Sequence, residues 1–221
     1  MKISVIIILF FTAACVFSQQ AVIQNLAGTV EVKFTGSEIW ERASLGQTLS
    51  GNTTISTGLR STAVISVGSS TLTVRPLTRL TIVELIQLES TEKVELALQV
   101  GRVRSDVNPP PGGKVEFTVR SSSATASVRG TTFEFDTLNI AVSKGTVEFA
   151  GNYGTPYMID AVGYSRIRES TNRAVNPKTT VIDDLKPSLP IASETSNPET
   201  RPVDQNPQES DHFTIPIITG Y

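Results

Sequence analysis

The chain has 221 residues, 39% hydrophobic and 18% charged, an ordinary globular balance that excludes wholly disordered and fibrous classes. Nineteen basic and 21 acidic side chains leave a net charge of −2, so the sequence shows no electrostatic footprint for nucleic acid. One Cys and one His exclude an intrachain disulfide framework and a Cys/His zinc centre, and no cofactor is expected.

Met1 and Lys2 open the chain with one positive charge, and Ile3 to Phe11 is almost unbroken hydrocarbon. That run is too short to span a bilayer and fits the core of a secretory signal peptide over residues 1–18. Val16-Phe17-Ser18 suits cleavage before Gln19, whereas Thr12-Ala13-Ala14-Cys15 is a degenerate lipobox that would leave Cys15 lipidated. Both routes place the mature chain outside a bacterial cytoplasm, in the periplasm or at the surface. No stable membrane span is expected in the mature form beyond a lipid anchor at Cys15.

Residues 19–170 carry 14 basic and 14 acidic side chains, with Ser, Thr, Val and Ile frequent. Val94-Glu95-Leu96-Ala97-Leu98-Gln99-Val100 places apolar residues at every second position, the period of a half-buried strand. Val115, Phe117 and Val119 repeat it, as do Leu72 and Val74, and Leu138, Ile140 and Val142. Glycines punctuate these runs, so the reading is an all-β domain, either a two-layered sandwich or a short twisted β-solenoid. Leu77–Leu88 has partly helical spacing, but Thr78 and Thr81 dilute it and a polar Ser90–Lys93 turn follows, which predicts a hairpin.

Two echoes run through this body. Gly28-Thr29-Val30-Glu31-Val32 is nearly repeated by Gly145-Thr146-Val147-Glu148-Phe149, with looser copies at Gly101 and Gly113. Ala63, Ser66, Val67, Thr71, Leu72 and Val74 recur 61 residues later as Ala124, Ser127, Val128, Thr132, Phe133 and Phe135. The spacing suggests one supersecondary unit used twice.

Beyond 170 the composition changes, and seven of the 12 Pro fall from Pro177 onward among Ser, Thr, Asn, Glu and Asp. Residues 171–221 are expected to form a disordered tail, because such a segment buries too little apolar surface to offset its chain entropy. His212 to Tyr221 regains hydrophobicity, and reads as a frayed end, a strand laid back on the body, or a docking motif.

The body resembles the FecR domain. The likeness rests on Gly28-Thr29-Val30, Thr57-Gly58, Val64 to Leu72, and above all Val128-Arg129-Gly130-Thr131-Thr132-Phe133. Val142-Ser143-Lys144-Gly145-Thr146-Val147 closes it, and Tyr157 to Ile167 is similar to the strand and turn that usually follow. The resemblance implies an extracytoplasmic β domain without catalytic residues. In its best-known members this domain senses a liganded outer-membrane transporter and regulates a sigma factor. No regulatory segment precedes the apolar stretch here, so that signalling role is not expected of this chain alone.

Chemistry is sparse. His212 falls in the expected tail, without rigid support for a Ser-His-Asp triad. Gly112-Gly113-Lys114 lacks the Ser or Thr of a phosphate loop, and Asn108 to Gly113 reads as a stiff exposed loop. Asn52-Thr53-Thr54 is a sequon only in a host that glycosylates, and Asp183-Asp184 reads as solvated. Glu84, Glu89, Glu92 and Glu95 offer a carboxylate pair only if folding brings two together. Arg129 reads as a turn residue facing water or local carbonyls, Gly130 as a positive-φ position, and Trp40 more as a core anchor than a sugar platform. No catalytic, cofactor or metal residue is assigned. The expectation is a non-enzymatic binding or scaffold module of the cell envelope, with an envelope protein or glycan as partner. The alternative is a carbohydrate-binding or carbohydrate-processing β protein.

Overall fold

The computed structural model of the protein describes residues 20–178, and every element from Ala21 to Ala174 is a strand. The first half contains β1 (Ala21–Ala27), β2 (Val30–Lys33), β3 (Glu41–Arg42), β4 (Thr48–Leu49), β5 (Thr53–Thr57), β6 (Thr62–Val67), β7 (Ser70–Val74), β8 (Arg79–Leu88) and β9 (Thr91–Val100). The second contains β10 (Arg102–Asp106), β11 (Lys114–Arg120), β12 (Ala124–Val128), β13 (Thr132–Asp136), β14 (Asn139–Lys144), β15 (Thr146–Gly151), β16 (Tyr157–Asp160), β17 (Tyr164–Arg168) and β18 (Arg173–Ala174).

These strands form two nine-stranded sheets. Sheet A has the order β18-β17-β14-β13-β10-β7-β6-β1-β4, and sheet B the order β16-β15-β12-β11-β9-β8-β5-β2-β3. Apart from the edge strands β4 and β3, which lie outside β1 and β2, both orders follow the chain, so later strands add beside those already placed. The result is a two-layered structure wound in the manner of a solenoid, which unites the two architectures expected. All pairings are antiparallel except β9 with β11, which run parallel with Phe117 opposite Val94.

Period-two alternation supplies the core. Val94, Leu96 and Leu98 of β9 are buried, while Lys93, Glu95 and Ala97 face outward. Phe117 of β11 meets Phe133 of β13 edge-on at 6.4 Å, and Phe135 of β13 meets Phe149 of β15 at 6.1 Å. Both pairs join sheet B to sheet A, so aromatic contacts bridge the layers. Val100 leaves the pattern and is 54% exposed, because the chain turns there from sheet B to sheet A through Gly101 at φ +93°.

The Gly-x-Val echo marks these sheet-switching corners. After Gly28, the Thr29 N–H donates to Ser61 Oγ at 2.8 Å; after Gly101, the Arg102 N–H donates to Thr78 Oγ1 at 3.0 Å. After Gly145, Thr131 Oγ1 donates to the Thr146 carbonyl at 2.9 Å. In each case the glycine allows a neighbouring corner's hydroxyl to reach the main chain, and the following Val30, Val103 or Val147 re-enters the core. A Cβ on Gly101 would collide with Thr78, which is why the position carries none.

The second echo is only partly structural. Equivalent positions share burial, with Ala63 and Ala124, Val67 and Val128, and Leu72 and Phe133 all inward. The connections differ, since β6 and β7 form a hairpin in sheet A whereas β12 and β13 lie in opposite sheets. One supersecondary unit used twice is therefore not what the fold contains. The shared feature is the burial alternation, which any strand pair with an inward face would show.

Leu77–Leu88 forms strand β8 after a corner, as expected, and pairs with β9 in a hairpin. Its turn is Glu89-Ser90 rather than Ser90–Lys93, because Thr91 already pairs with Leu88. The fold also runs past the expected boundary at 170: β18 pairs with β17, and Ala174 and Val175 are buried.

Candidate functional site

The carboxylates that the sequence offered for acid–base work are committed separately. Glu84 and Glu95 are cross-strand partners on the outward face of sheet B, but Glu84 pairs with Lys93 and Glu95 with Arg120 at 3.0 Å. The hydrogen bond and charge of Glu84 push the Lys93 ammonium pKa upward. Glu92 is 3% exposed on the inward side, and its carboxylate accepts the N–H and hydroxyl of Ser69. Glu89 occupies the hairpin turn at φ +50°. Among the described residues no group of three or more His, Cys, Asp or Glu is placed to hold a metal ion.

Trp40 is not a core anchor. It is half-buried, with Lys33 Nζ 5.7 Å and the Arg79 guanidinium 5.5 Å from its ring. It lies at the end of the β2–β3 connection, and the two cations stand over the ring. Arg129 is exposed beside Gly130, whose φ is +117° and whose strand turn returns Phe133 and Phe135 to the core. Arg129 lines a shallow groove on sheet B with Glu116, Ser127, Glu148 and Met158. The Asn108–Gly113 segment is a loop between β10 and β11, closed by the Gly113 N–H on the Pro110 carbonyl. The expectations for residues 1–18, Cys15, Asp183, Asp184 and His212, and for the tail beyond Lys178, lie outside the described residues.

Sequence reasoning assigned no binding or catalytic role to the residues on the outward face of sheet A. Arg75 reaches Glu134 at 3.3 Å, and Arg102 reaches Glu134 at 3.3 Å and Asp136 at 3.6 Å. Asp136 also accepts the N–H groups of Leu138 and Asn139 and the Asn139 amide. Tyr164 donates its phenol to Asn139 Oδ1 at 2.7 Å. The alternation in Arg102-Val103-Arg104 signals that both arginines face outward, but the carboxylates that Arg102 meets come from a strand about 30 residues away. Two adjoining depressions lie here, sharing Arg102, Glu134 and Asp136.

Fold and surface together define a two-sheet β module with charged, shallow outer faces. Residues 53–148 match the family model described as FecR protein. The matched span begins at β5 and ends within β15. Two crystal structures of a candidate anti-sigma factor from Parabacteroides distasonis ATCC 8503 are similar at 14% identity and a TM-score of 0.46. The similarity covers 58% of this chain and 62% of that one, so the chain spans less than two thirds of their length. No curated protein matches the sequence.

Proposed function

We propose that this protein is a non-enzymatic FecR-like binding or scaffold module of the bacterial cell envelope, acting outside the cytoplasm. The observation that carries this reading is the separate commitment of its candidate catalytic carboxylates. Glu84, Glu92 and Glu95 serve Lys93, Ser69 and Arg120, so no two of these candidates stand free across a cleft as glycoside hydrolysis needs. The outer faces are shallow and polar, which suits recognition of an extended partner more than enclosure of a small reactant. The apolar leader at Ile3–Phe11 supports an extracytoplasmic site of action.

Screening the purified full chain against cell-wall and envelope glycans, with product analysis by mass spectrometry, tests the activity. Retention of an intact glycan or of an envelope protein supports the module; turnover of any glycan overturns it. Intact mass of the protein recovered from the envelope tests the location. A first residue at Gln19 or an acylated Cys15 supports export, and an unprocessed chain in the cytosol overturns it.

A further inference from the structure

Charge is segregated across sheet A. Strands β1, β4, β6 and β7 contain no charged residue, whereas β10, β13, β14 and β17 carry Arg102, Arg104, Lys144, Arg166 and Arg168 against Asp106, Glu134 and Asp136. These four strands therefore carry five basic against three acidic side chains, while the other half of the sheet face is uncharged. Across the four, backbone register aligns Arg104, Glu134, Ala141 and Tyr164 in a single row. The short side chain of Ala141 leaves a gap between Glu134 and Tyr164, and the resulting depression has a volume of about 460 Å3.

The cations of this region are not equivalent. Arg75 and Arg102 are neutralised by Glu134 and Asp136, while Arg104, exposed at the rim, has no carboxylate partner among the described residues. Opposite it, the Tyr164 ring is tethered through Asn139 to Asp136, so its position is fixed before any ligand arrives. A planar guanidinium is suited to bidentate contact with a carboxylate, and a fixed aromatic ring is suited to the apolar face of a sugar. Asn139, Ser143 and Glu134 supply donors and acceptors between the two.

Resting on the binding-module reading, we propose that this depression binds a carboxylate-bearing glycan, with Arg104 on the carboxylate and Tyr164 against a sugar ring. A protein partner would instead call for a desolvated apolar pocket to seat an anchor side chain. Among the described residues, none of the exposed large hydrophobics lines the depression.

The test is calorimetric titration of the full chain with hexagalacturonate, a neutral hexasaccharide, and a hexaglutamate peptide. Hexagalacturonate should bind, and both others at least tenfold more weakly. Arg104→Ala and Tyr164→Ala should each weaken it at least tenfold and Arg104→Lys less, while Arg42→Ala, a cation on the edge of sheet B, should change nothing. Melting curves of each variant separate loss of binding from loss of fold, and Arg104 is exposed enough for its replacement to leave the fold intact. Equal binding of the neutral sugar, equal binding of hexaglutamate, no binding of hexagalacturonate, or an unaffected Arg104→Ala each overturns the proposal. Cleavage of the hexasaccharide would overturn the non-enzymatic reading while leaving recognition of the glycan in place.

Discussion

Glu92 closes the β6–β7 turn of the opposite sheet: its Oε2 accepts the Ser69 N–H at 3.1 Å and its Oε1 accepts the Ser69 hydroxyl at 3.0 Å. An acid at an inward position of β9 is thereby satisfied without a cation, and it ties sheet B to sheet A. Replacing Glu92 with Ala leaves both half-buried Ser69 donors without this acceptor and should cost about 1–2 kcal/mol. Glu92→Gln retains an acceptor for the N–H and should cost less. Urea denaturation of the three proteins checks the order, and equal stability of wild type and Glu92→Ala would refute the role.

The positive-φ glycines divide into two kinds. Gly101 has φ +93° and a neighbour in the way, with Thr78 Cα 2.5 Å from where a Cβ would stand. Gly36 has φ +76° but nothing within 4 Å. Gly36→Ala should therefore cost about 1–2 kcal/mol from backbone conformation alone. Gly101→Ala adds a main-chain collision and should cost about 2–5 kcal/mol in all. Thermal melting should show the gap as several degrees, and similar losses at the two sites would defeat the corner explanation.

Lys93 gives a prediction about alkaline pH. Its hydrogen bond and charge interaction with Glu84 raise its folded pKa above the usual 10.5. The folded state therefore holds the proton more tightly than the unfolded chain, and the contribution is complete below the unfolded pKa. It is lost as pH rises through the raised folded value. Lys93→Met should narrow its stability difference from wild type between pH 8 and strongly alkaline pH, and added salt should narrow it at pH 8 as well. A difference that widens with pH would reverse the sign of the linkage.

Trp40 is the chain's only Trp, so its fluorescence reports one site. With Lys33 and Arg79 within 6 Å of the ring, iodide should be concentrated there and caesium repelled. Iodide should quench more than caesium at equal concentration, and the double variant Lys33→Gln, Arg79→Gln should reduce the difference. Equal quenching by both ions in the wild type would contradict the cationic cover.

Much of this protein is set by neighbours along the chain. Alternation placed Val94, Leu96 and Leu98 inward because side chains of a strand point to opposite faces whatever the strand pairs with. The Val128–Phe133 phrase and the Gly-x-Val echo pointed to the FecR resemblance, and the family match over residues 53–148 agrees with it. Pairing across the fold decided the rest. Which sheet receives a strand is not visible in the alternation: β12 and β13 part company where β6 and β7 stay together. Val100 fits the inward period yet is exposed, because Gly101 has already turned the chain toward the other layer. Arg104, Glu134, Ala141 and Tyr164 have no visible relation in the sequence and become one row only through the register of four strands. Periodicity is a local property of the backbone, whereas a binding surface on a sheet is made from residues that only tertiary pairing sets side by side.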